Sequence, residues 1–264
     1  MTETGYHNHT TWSDGSATVP EMVESAQKAG LREFGISDHY VLAPGSQRIS
    51  WAIAQESLDA YVADVKQSQS GKHMRVRLGL EVDYFPETIE LTRERLAQYQ
   101  FDYLIGSVHF VDDFPIDFEA RSWEGISQEQ RNNVWRGYWR RLRETAKTGL
   151  FDIIGHFDLP KKFGFRPSID LVPDALAALD SIAAAGSAIE INNSLLERTA
   201  SECYQSLQYL QESCRRKIPI LINADAHSPG EIVRHFERAR KLAVAAGYTE
   251  LVRFDRRRRS AYPI

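Results

Sequence analysis

Short apolar runs alternate with longer amphipathic segments along almost the whole chain. The apolar runs predict seven strands, at residues 5–8, 33–37, 76–82, 103–108, 153–155, 188–192 and 218–223. Hydrophobic positions at helical spacing predict helices at residues 18–28, 58–67, 86–98, 127–148, 173–186, 202–216 and 231–246. Thr18 with Glu21, and Ser127 with Gln130, have the capping-box spacing that starts a helix. This alternation predicts a mostly parallel sheet covered by helices.

Such βα units fit either a closed barrel or an open, doubly wound sheet. Neither the GxGxxG motif nor the GxxxxGK[ST] motif follows any predicted strand, and these are the usual nucleotide-binding signals of the open form. The sequence therefore favours a seven-stranded, TIM-like α/β barrel with its active site at the carboxyl ends of the strands. No linker or low-complexity segment interrupts the pattern, so residues 1–264 are interpreted as one domain.

The composition is that of an ordinary globular protein, since 42% of residues are hydrophobic and 26% are charged. The net charge of -4 gives no field that would attract nucleic acid or an acidic membrane. The run Arg256–Arg259 is interpreted as a solvated C-terminal segment. The first residues lack the regions of a signal peptide, and no apolar run approaches the roughly 18 residues that span a bilayer. We expect a cytoplasmic protein without a nucleic-acid or membrane partner, and the oligomeric state stays open.

The two cysteines, Cys203 and Cys214, are expected to be reduced thiols. If one helix carries both, eleven residues at about 1.5 Å each separate them by roughly 16 Å, too far for a disulfide bond. Free thiols agree with the cytoplasmic location expected from the N-terminal sequence.

Histidines and carboxylates follow the predicted strands. Glu81 ends the third strand, Asn192 and Asn193 end the sixth, and Asp225 follows the seventh. Six of the eight histidines lie at or just after the end of a strand: His7, His9, His39, His109, His156 and His227. Because the carboxyl ends of barrel strands meet at one mouth, we expect these side chains to lie close together.

The spacing and type of these residues predict a metal site. His7 and His9 are two residues apart on a strand, so their imidazoles point to one face and can chelate one ion. Asp225 and His227 have the same spacing. Imidazole and carboxylate without thiolate suit Zn²⁺, Mn²⁺ or Fe²⁺. The candidates exceed what one ion can use, so two or three ions with bridging carboxylates are expected. Such a cluster generates hydroxide near neutral pH and stabilises an in-line phosphoryl displacement.

These residues, in this order, resemble the motifs of the PHP (polymerase and histidinol phosphatase) domain. The matching segments are His7-Asn-His9-x4-Asp14-Gly15, Ser37-Asp38-His39, Glu81, Ser107-Val-His109, Gly155-His156 and Asp225-Ala-His227. The resemblance runs from residue 7 to residue 227. The segments at residues 106–110, 114–117 and 155–158 resemble specifically the monofunctional histidinol-phosphate phosphatases of this family.

The resemblance implies a distorted seven-stranded barrel with three divalent transition-metal ions, Zn, Mn or Fe. It assigns to the first ion His7, His9, Glu81 and Asp225, to the second Glu81, His109 and His156, and to the third Asp14, His39 and His227. It implies a histidinol-phosphate phosphatase of histidine biosynthesis, in which a metal-bridging hydroxide hydrolyses the phosphomonoester. In this scheme the catalytic residues are Asp14, Glu81, Asp225 and His227. Some relatives carry a histidine in place of Asp14.

Binding of the substrate needs donors beyond the metals. Arginine and lysine form charge-assisted hydrogen bonds with phosphate. The candidates near strand ends are Lys161, Lys162, Arg166 and Arg198, and Arg48 on the long loop after the second strand and His39 are further candidates. A histidinol ammonium or imidazole would bind a carboxylate or an aromatic face. The candidates for this role are Asp112, Asp113, Asp117 and Trp51.

Three other functions fit part of the pattern. The first is a PHP phosphoesterase for another small phosphomonoester, such as a nucleotide or sugar phosphate, and a substrate screen distinguishes it. The second is a nuclease or proofreading module acting on a polymerase; the net charge of -4 and the lack of a polymerase region argue against it, and a salt-dependent DNA-binding assay tests it. The third is a metal-binding scaffold without turnover.

Overall fold

The predicted alternation of strands and helices is present in the computed structural model, which describes residues 4–46, 48–69, 74–197 and 202–264. The strands of these segments are β1 (Thr4–Gly5), β2 (Glu33–Ile36), β3 (His39–Tyr40), β4 (Arg75–Leu78), β5 (Glu81–Asp83), β6 (Ile105–Ser107), β7 (Phe110–Val111), β8 (Phe114–Pro115), β9 (Ile153–Ile154), β10 (Ala188–Asn192), β11 (Ile220–Asn223), β12 (Glu250–Asp255) and β13 (Arg258–Pro263). The helices are α1 (Val19–Lys28), α2 (Leu58–Ser68), α3 (Ile89–Leu96), α4 (Ala120–Glu124), α5 (Gln128–Lys147), α6 (Val172–Ala185), α7 (Leu207–Arg215) and α8 (Phe236–Ala245).

The parallel strands form two sheets. β1, β2 and β4 make a three-stranded sheet, and β11, β10, β9, β6, β5 and β3 make a six-stranded sheet in that order. The second predicted strand corresponds to β2 and is followed by the short strand β3, and the third is divided into β4 and β5. β2 and β4 belong to one sheet, whereas β3 and β5 belong to the other. The prediction of an α/β fold with mostly parallel strands is confirmed.

The closed seven-stranded barrel predicted from the sequence is not present among the described residues. Beyond β1 and β2 side chains replace part of the strand pairing: Ser37 N still donates to Asn8 O at 2.9 Å, but Thr10 N donates to the Asp38 carboxylate at 2.7 Å. The N–H of Thr10 is satisfied by a side chain and therefore cannot extend a strand ladder. Between the segment after β1 and the segment after β11, the pairing found is an isolated parallel bridge from Asn8 to Ala226.

Two antiparallel hairpins, β7–β8 and β12–β13, lie outside the predicted pattern. The second contains the arginine run at the C-terminus. Arg258 and Arg259 in β13 are exposed, in agreement with the interpretation of a solvated segment. Arg257, at the turn, forms an ion pair with Asp152 and thereby attaches the hairpin to the segment before β9.

The short helix α4 was not predicted, and the boundaries of the other helices agree with the predictions to within three residues except at two N-terminal ends. α7 begins at Leu207 instead of residue 202, and α8 begins at Phe236 instead of residue 231. Cys203 therefore precedes α7, so the premise that both cysteines share one helix is wrong, although both are free thiols. No helix in the described segments has the length and apolar character needed to cross a membrane.

The Tyr103 side chain packs against the backbone within β2 and directly after β4. It is fully buried in a cluster with Tyr6, Ile105, Ile153, Ala188, Leu221, Val252 and Phe254. A Cβ atom at Gly35 would lie 2.2 Å from the Tyr103 hydroxyl oxygen, and one at Gly79 would lie 2.2 Å from the ring carbon Cζ. Glycine is therefore required at both positions, which precede His39 and Glu81 by four and two residues.

Candidate metal centre

The nine predicted metal ligands lie together on one side of the parallel strands. Each lies in or just after a strand, except Asp14, which lies on the loop after β1. In three groups, one ligand atom from every member lies within 4.8 Å of the others: His9, Asp14, His39 and His227; His7, His9 and Glu81; His39, Glu81 and His109. The remaining two predicted ligands, His156 and Asp225, contact members of these groups.

One oxygen of Glu81 faces three imidazoles. Glu81 is the first residue of β5 and is 1% exposed. Its Oε2 atom lies 2.9 Å from His39 Nδ1, 3.0 Å from His7 Nε2 and 3.6 Å from His9 Nε2. This oxygen makes no hydrogen bond of acceptable geometry.

The other oxygen of Glu81 faces a different pair of imidazoles. The Oε1 atom lies 2.9 Å from His156 Nε2 and 3.6 Å from His109 Nε2. It also accepts a hydrogen bond from Ser107 Oγ at 2.6 Å, which orients the carboxylate. Glu81 thus lies between two sets of ligand atoms, as expected of a bridging carboxylate.

Asp225 adds a second carboxylate to the first set. Its Oδ1 atom lies 3.1 Å from His9 Nε2, 3.6 Å from His7 Nε2 and 3.8 Å from His227 Nδ1. Asp225 has a φ angle of 52°, in the left-handed region that is unfavourable for a non-glycine residue. Outliers of this kind occur at functional sites, and here the backbone turns just after β11 to direct the carboxylate to the imidazoles.

Asp14 forms the outer part of the cluster. Its Oδ1 atom lies 3.7 Å from His39 Nε2, and its Oδ2 atom lies 3.4 Å from His227 Nε2. Asp38 orders the loop that carries Asp14, because its carboxylate accepts hydrogen bonds from the backbone N and the Oγ of Ser13 at 3.1 and 2.6 Å. The third predicted set of ligands is therefore also adjacent.

The donor atoms fit divalent ions. Five buried polar atoms of the cluster lack a hydrogen bond: His7 Nε2, His9 Nδ1, His39 Nδ1, Glu81 Oε2 and His156 Nδ1. Each unsatisfied buried group costs about 1–3 kcal/mol. Atoms that bind one zinc ion at about 2.0–2.2 Å lie about 3.3–3.6 Å apart in a tetrahedron. Separations between the imidazole nitrogens of His7 and His9 and the carboxylates of Glu81 and Asp225 are 3.0–3.6 Å.

The carboxylates and imidazoles of the cluster shift one another's pKa values. Burial opposes charging of Glu81, but the neighbouring imidazoles of His7, His39 and His109 hold its pKa well below the usual range. Burial also opposes charging of His109, but the carboxylates of Asp83 and Glu81 raise its pKa to about 10. In the absence of metal, protons thus compensate the carboxylates, and ions that bind there must displace them.

Two carboxylates outside the predicted ligand set lie within hydrogen-bond distance of imidazole nitrogens in the cluster. Asp83 Oδ2 lies 2.9 Å from His109 Nδ1, and Glu190 Oε2 lies 2.9 Å from His7 Nδ1. Sequence reasoning identified neither residue. A signal was available, because each lies in a buried strand among apolar neighbours, and a buried carboxylate requires polar partners.

A cavity of about 540 Å³ opens over the cluster. Besides seven of the predicted ligands it is lined by Leu159, Ser194, Tyr204, Glu231, Asp117, Lys162 and Arg234. Lys162 Nζ donates to the Asp117 backbone oxygen at 2.9 Å and to Asp117 Oδ2 at 3.0 Å. Arg234 donates to the backbone oxygens of Ala224 and Asp225 at 3.0 and 3.1 Å. It therefore holds the turn that carries Asp225.

The placement of Lys161 does not support its predicted role in phosphate binding. The side chain is fully buried and does not line the cavity. Its ammonium donates to Asp158 Oδ2 at 2.8 Å, to Glu202 Oε2 at 3.2 Å and to Cys203 O at 2.7 Å. Because an ammonium has three donors, these contacts leave none for a substrate.

The other predicted substrate contacts differ in position. His39 lines the cavity over the cluster, and Arg48 and Trp51 line an adjoining cavity of about 560 Å³ that shares Asp14, His39, His109, Asp117 and Lys162. Arg166 lies 3.8 Å from Glu202 and lines neither cavity. Asp112 and Asp113 line a different cavity, beside Arg141. Arg198 lies outside the described residues.

The fold is similar to those of two solved structures. A crystal structure of histidinol phosphate phosphatase from Lactococcus lactis, in complex with zinc, L-histidinol and phosphate, has a TM-score of 0.80 and 19% sequence identity, and 98% of each chain is covered. A structure of a putative histidinol phosphatase from Listeria monocytogenes has a TM-score of 0.73 and 20% identity, with 89% of this chain and 99% of that chain covered. At these identities the likeness concerns the fold.

Sequence comparison gives the family. A probable histidinol-phosphatase from Deinococcus radiodurans is 33% identical over 248 residues, which cover 89% of this chain and 90% of that protein. A histidinol-phosphatase from Bacillus subtilis is 26% identical over 250 residues, 83% of this chain and 91% of that protein. Residues 5–194 match the PHP domain. With the ordered histidines and carboxylates brought into one cluster, this match means that the chain belongs to the PHP domain family.

Proposed function

We propose that this protein is a histidinol-phosphate phosphatase, a metal-dependent enzyme that hydrolyses L-histidinol phosphate to L-histidinol and phosphate. The observation that carries the proposal is Glu81, whose two oxygens lie within 2.9–3.6 Å of imidazole nitrogens from five histidines beneath an open cavity. The names of the Deinococcus and Bacillus relatives support histidinol phosphate as the substrate.

We infer that three ions occupy the cluster, with zinc, manganese or iron as the candidates. The first would be held by His7, His9, Glu81 and Asp225, the second by Glu81, His109 and His156, and the third by Asp14, His39 and His227. When bound, such ions ionise a water molecule near neutral pH and stabilise the charge on phosphoryl oxygens. We also infer that the two sheets are parts of one distorted barrel.

The chain's own residues would hold and orient the ester. Lys162 lines both cavities and is the basic side chain best placed to pair with a phosphate oxygen. Trp51 lines the adjoining cavity, with its ring centroid 4.7 Å from that of His39 and 5.6 Å from that of His109. A cationic or imidazole leaving group could lie against this aromatic face, with Asp117 as its carboxylate partner.

The proposed substrate predicts a steep specificity profile. For the metal-replete protein we expect kcat/KM for histidinol phosphate to exceed that for p-nitrophenyl phosphate or AMP by at least about 100-fold, or roughly 2.7 kcal/mol of differential transition-state binding. A phosphate-release assay across a panel of phosphomonoesters measures this ratio. A flat profile with high turnover would instead favour a general PHP phosphoesterase.

We expect substitutions of the neighbouring residues Lys161 and Lys162 to have different consequences. Lys162→Met should lower kcat/KM by about 100-fold, because it removes a charge-assisted contact to phosphate, and the thermal stability should change little. Lys161→Met should lower the free energy of unfolding by about 3–5 kcal/mol, since it leaves Asp158 buried without its cation. Steady-state kinetics and thermal unfolding of both variants measure the difference.

Arg198→Ala tests the candidate that lies outside the described residues. We expect kcat/KM to fall about 100-fold, with little change in stability, if Arg198 pairs with the phosphate. If Lys162→Met keeps full activity and Arg198→Ala does not, Lys162 serves only to hold Asp117.

A further inference from the structure

We propose that Glu190 is a positioning residue that fixes the tautomer of His7 and connects the ligands of the first and second proposed ion sites. The proposal rests on the metal centre described above and assigns a role to a residue outside the ligand set. Glu190 lies in the middle of β10 and is 0% exposed.

Every contact of the Glu190 carboxylate is with an N–H donor. Oε2 lies 2.9 Å from His7 Nδ1 and accepts from Asn223 Nδ2 at 2.8 Å. Oε1 accepts from His156 N at 2.7 Å and from Asn192 Nδ2 at 3.0 Å. The carboxylate is therefore satisfied by four donors, and these contacts distinguish it from Glu81, whose Oε2 has none.

The contact with His7 determines which ring nitrogen can bind a metal. A hydrogen bond to a carboxylate places the proton on Nδ1 and leaves a lone pair on Nε2. His7 Nε2 faces Glu81 Oε2 at 3.0 Å and Asp225 Oδ1 at 3.6 Å, and it makes no hydrogen bond. Glu190 thus holds His7 in the tautomer and orientation that ligation requires, as outer-shell carboxylates do for metal-bound histidines.

The same network reaches two further ligands. The Glu190 contact with His156 N holds the backbone of a residue whose Nε2 atom faces the other oxygen of Glu81. Asn192 Nδ2 donates both to Glu190 Oε1 and to Asp225 Oδ2, at 3.0 and 3.1 Å. Its Oδ1 atom accepts from the backbone N and the Oγ of Ser194 at 3.0 and 2.7 Å, which determines the orientation of the amide.

Glutamine at position 190 would preserve the shape but not the hydrogen bonding. The backbone N–H of His156 is a donor that cannot be reversed, so the amide oxygen would have to face it. The NH₂ group would then face His7 Nδ1 and Asn223 Nδ2, both of which are donors in the native protein. His7 can accept this hydrogen bond only by moving its proton to Nε2, which removes the lone pair from the ligand position.

The test compares Glu190→Gln with Glu33→Gln, both in the full-length protein. Glu33 is a matched control, because it is 1% exposed in β2 and its partners, Tyr6, Arg75 and Arg77, lie outside the ligand set. Zinc affinity is measured by competition with a chromogenic chelator, and the histidine tautomers are measured by ¹⁵N NMR of the zinc-loaded protein, in which zinc displaces the Nε2 proton of a ligating imidazole. Thermal unfolding reports the general loss of stability.

We expect Glu190→Gln to weaken the tightest zinc site by about 10–100-fold and to convert one histidine from the Nδ1–H to the Nε2–H form. Glu33→Gln should lower the melting temperature but leave zinc affinity and tautomers unchanged. Equal losses of zinc affinity in both variants, or unchanged affinity and tautomers in Glu190→Gln, would overturn the proposal.

If Glu190→Gln does not fold, Asn192→Leu provides the second test. It removes the link to Asp225 without adding a donor, and we expect zinc affinity to fall several-fold; unchanged affinity would again overturn the proposal. These outcomes do not depend on the substrate. A wild-type protein that binds zinc but does not hydrolyse histidinol phosphate would refute the proposed function and leave the role of Glu190 to the zinc measurements.

Discussion

Glu81→Gln is expected to lower kcat by about 1,000-fold or more and to remove at least one metal ion per chain. The amide keeps the size of the side chain but loses the charge and one anionic donor oxygen. Because Oε2 faces His7 and His39 and Oε1 faces His156, the loss affects two proposed ion sites at once. Loss of an ion that activates water carries an effect of this size.

Elemental analysis and steady-state kinetics on the same preparation measure both effects. The variant should still fold, because the hydrophobic core does not depend on this side chain, and circular dichroism should be unchanged. Glu33→Gln serves as control for the loss of a buried carboxylate from a strand. The simplest structural role for Glu81, a partner of Arg77, is not present: Arg77 pairs with Glu33, Asp102 and Asp255. Full metal content and activity in Glu81→Gln would refute the shared site.

Removal of divalent ions by a strong chelator is expected to abolish phosphatase activity. Elemental analysis of the untreated protein should find two to three transition-metal ions per chain. Activity should return when Zn²⁺, Mn²⁺ or Fe²⁺ is added back, and the most active ion would identify the preferred metal. Ions that bind the native state also stabilise it, so the melting temperature should fall on chelation. An apo-protein that is verified as metal-free and fully active would contradict the proposed mechanism.

Part of the candidate site could be predicted because it depends on residue type and on short spacings along the chain. Strand residues two apart point to one face, so the spacing of His7 and His9 predicts a chelating pair. The apolar run before Asp225 and His227 indicates a buried strand that ends at the site. Such features depend only on neighbours along the chain, and the structure brings His7, His9 and His227 within 3.1–3.8 Å of Asp225 Oδ1.

Other features depend on contacts between distant segments. Lys161 and Lys162 are adjacent in the sequence and equally basic, but one ammonium is buried against Asp158 and the other lines the cavity. Their directions follow from the short 3-10 turn at Leu159–Lys161, which local pattern does not resolve. The sequence does not indicate the role of Glu190 for a related reason: its partners are His7, just after β1, and Asn223, in β11.

The sequence by itself determined the alternation of strands and helices, the membership of the ligand cluster and the metal chemistry that imidazole and carboxylate imply. These follow from periodicity and side-chain type, which are local properties. Only the tertiary structure decided how the strands divide into two sheets, which carboxylate oxygen faces which imidazole, and that Asp83 and Glu190 contact the Nδ1 atoms of His109 and His7. Those depend on hydrogen bonds and packing between distant segments, such as the bond from Tyr6 N to Asn223 Oδ1 across 217 residues, and a sequence pattern carries no distance across such separations.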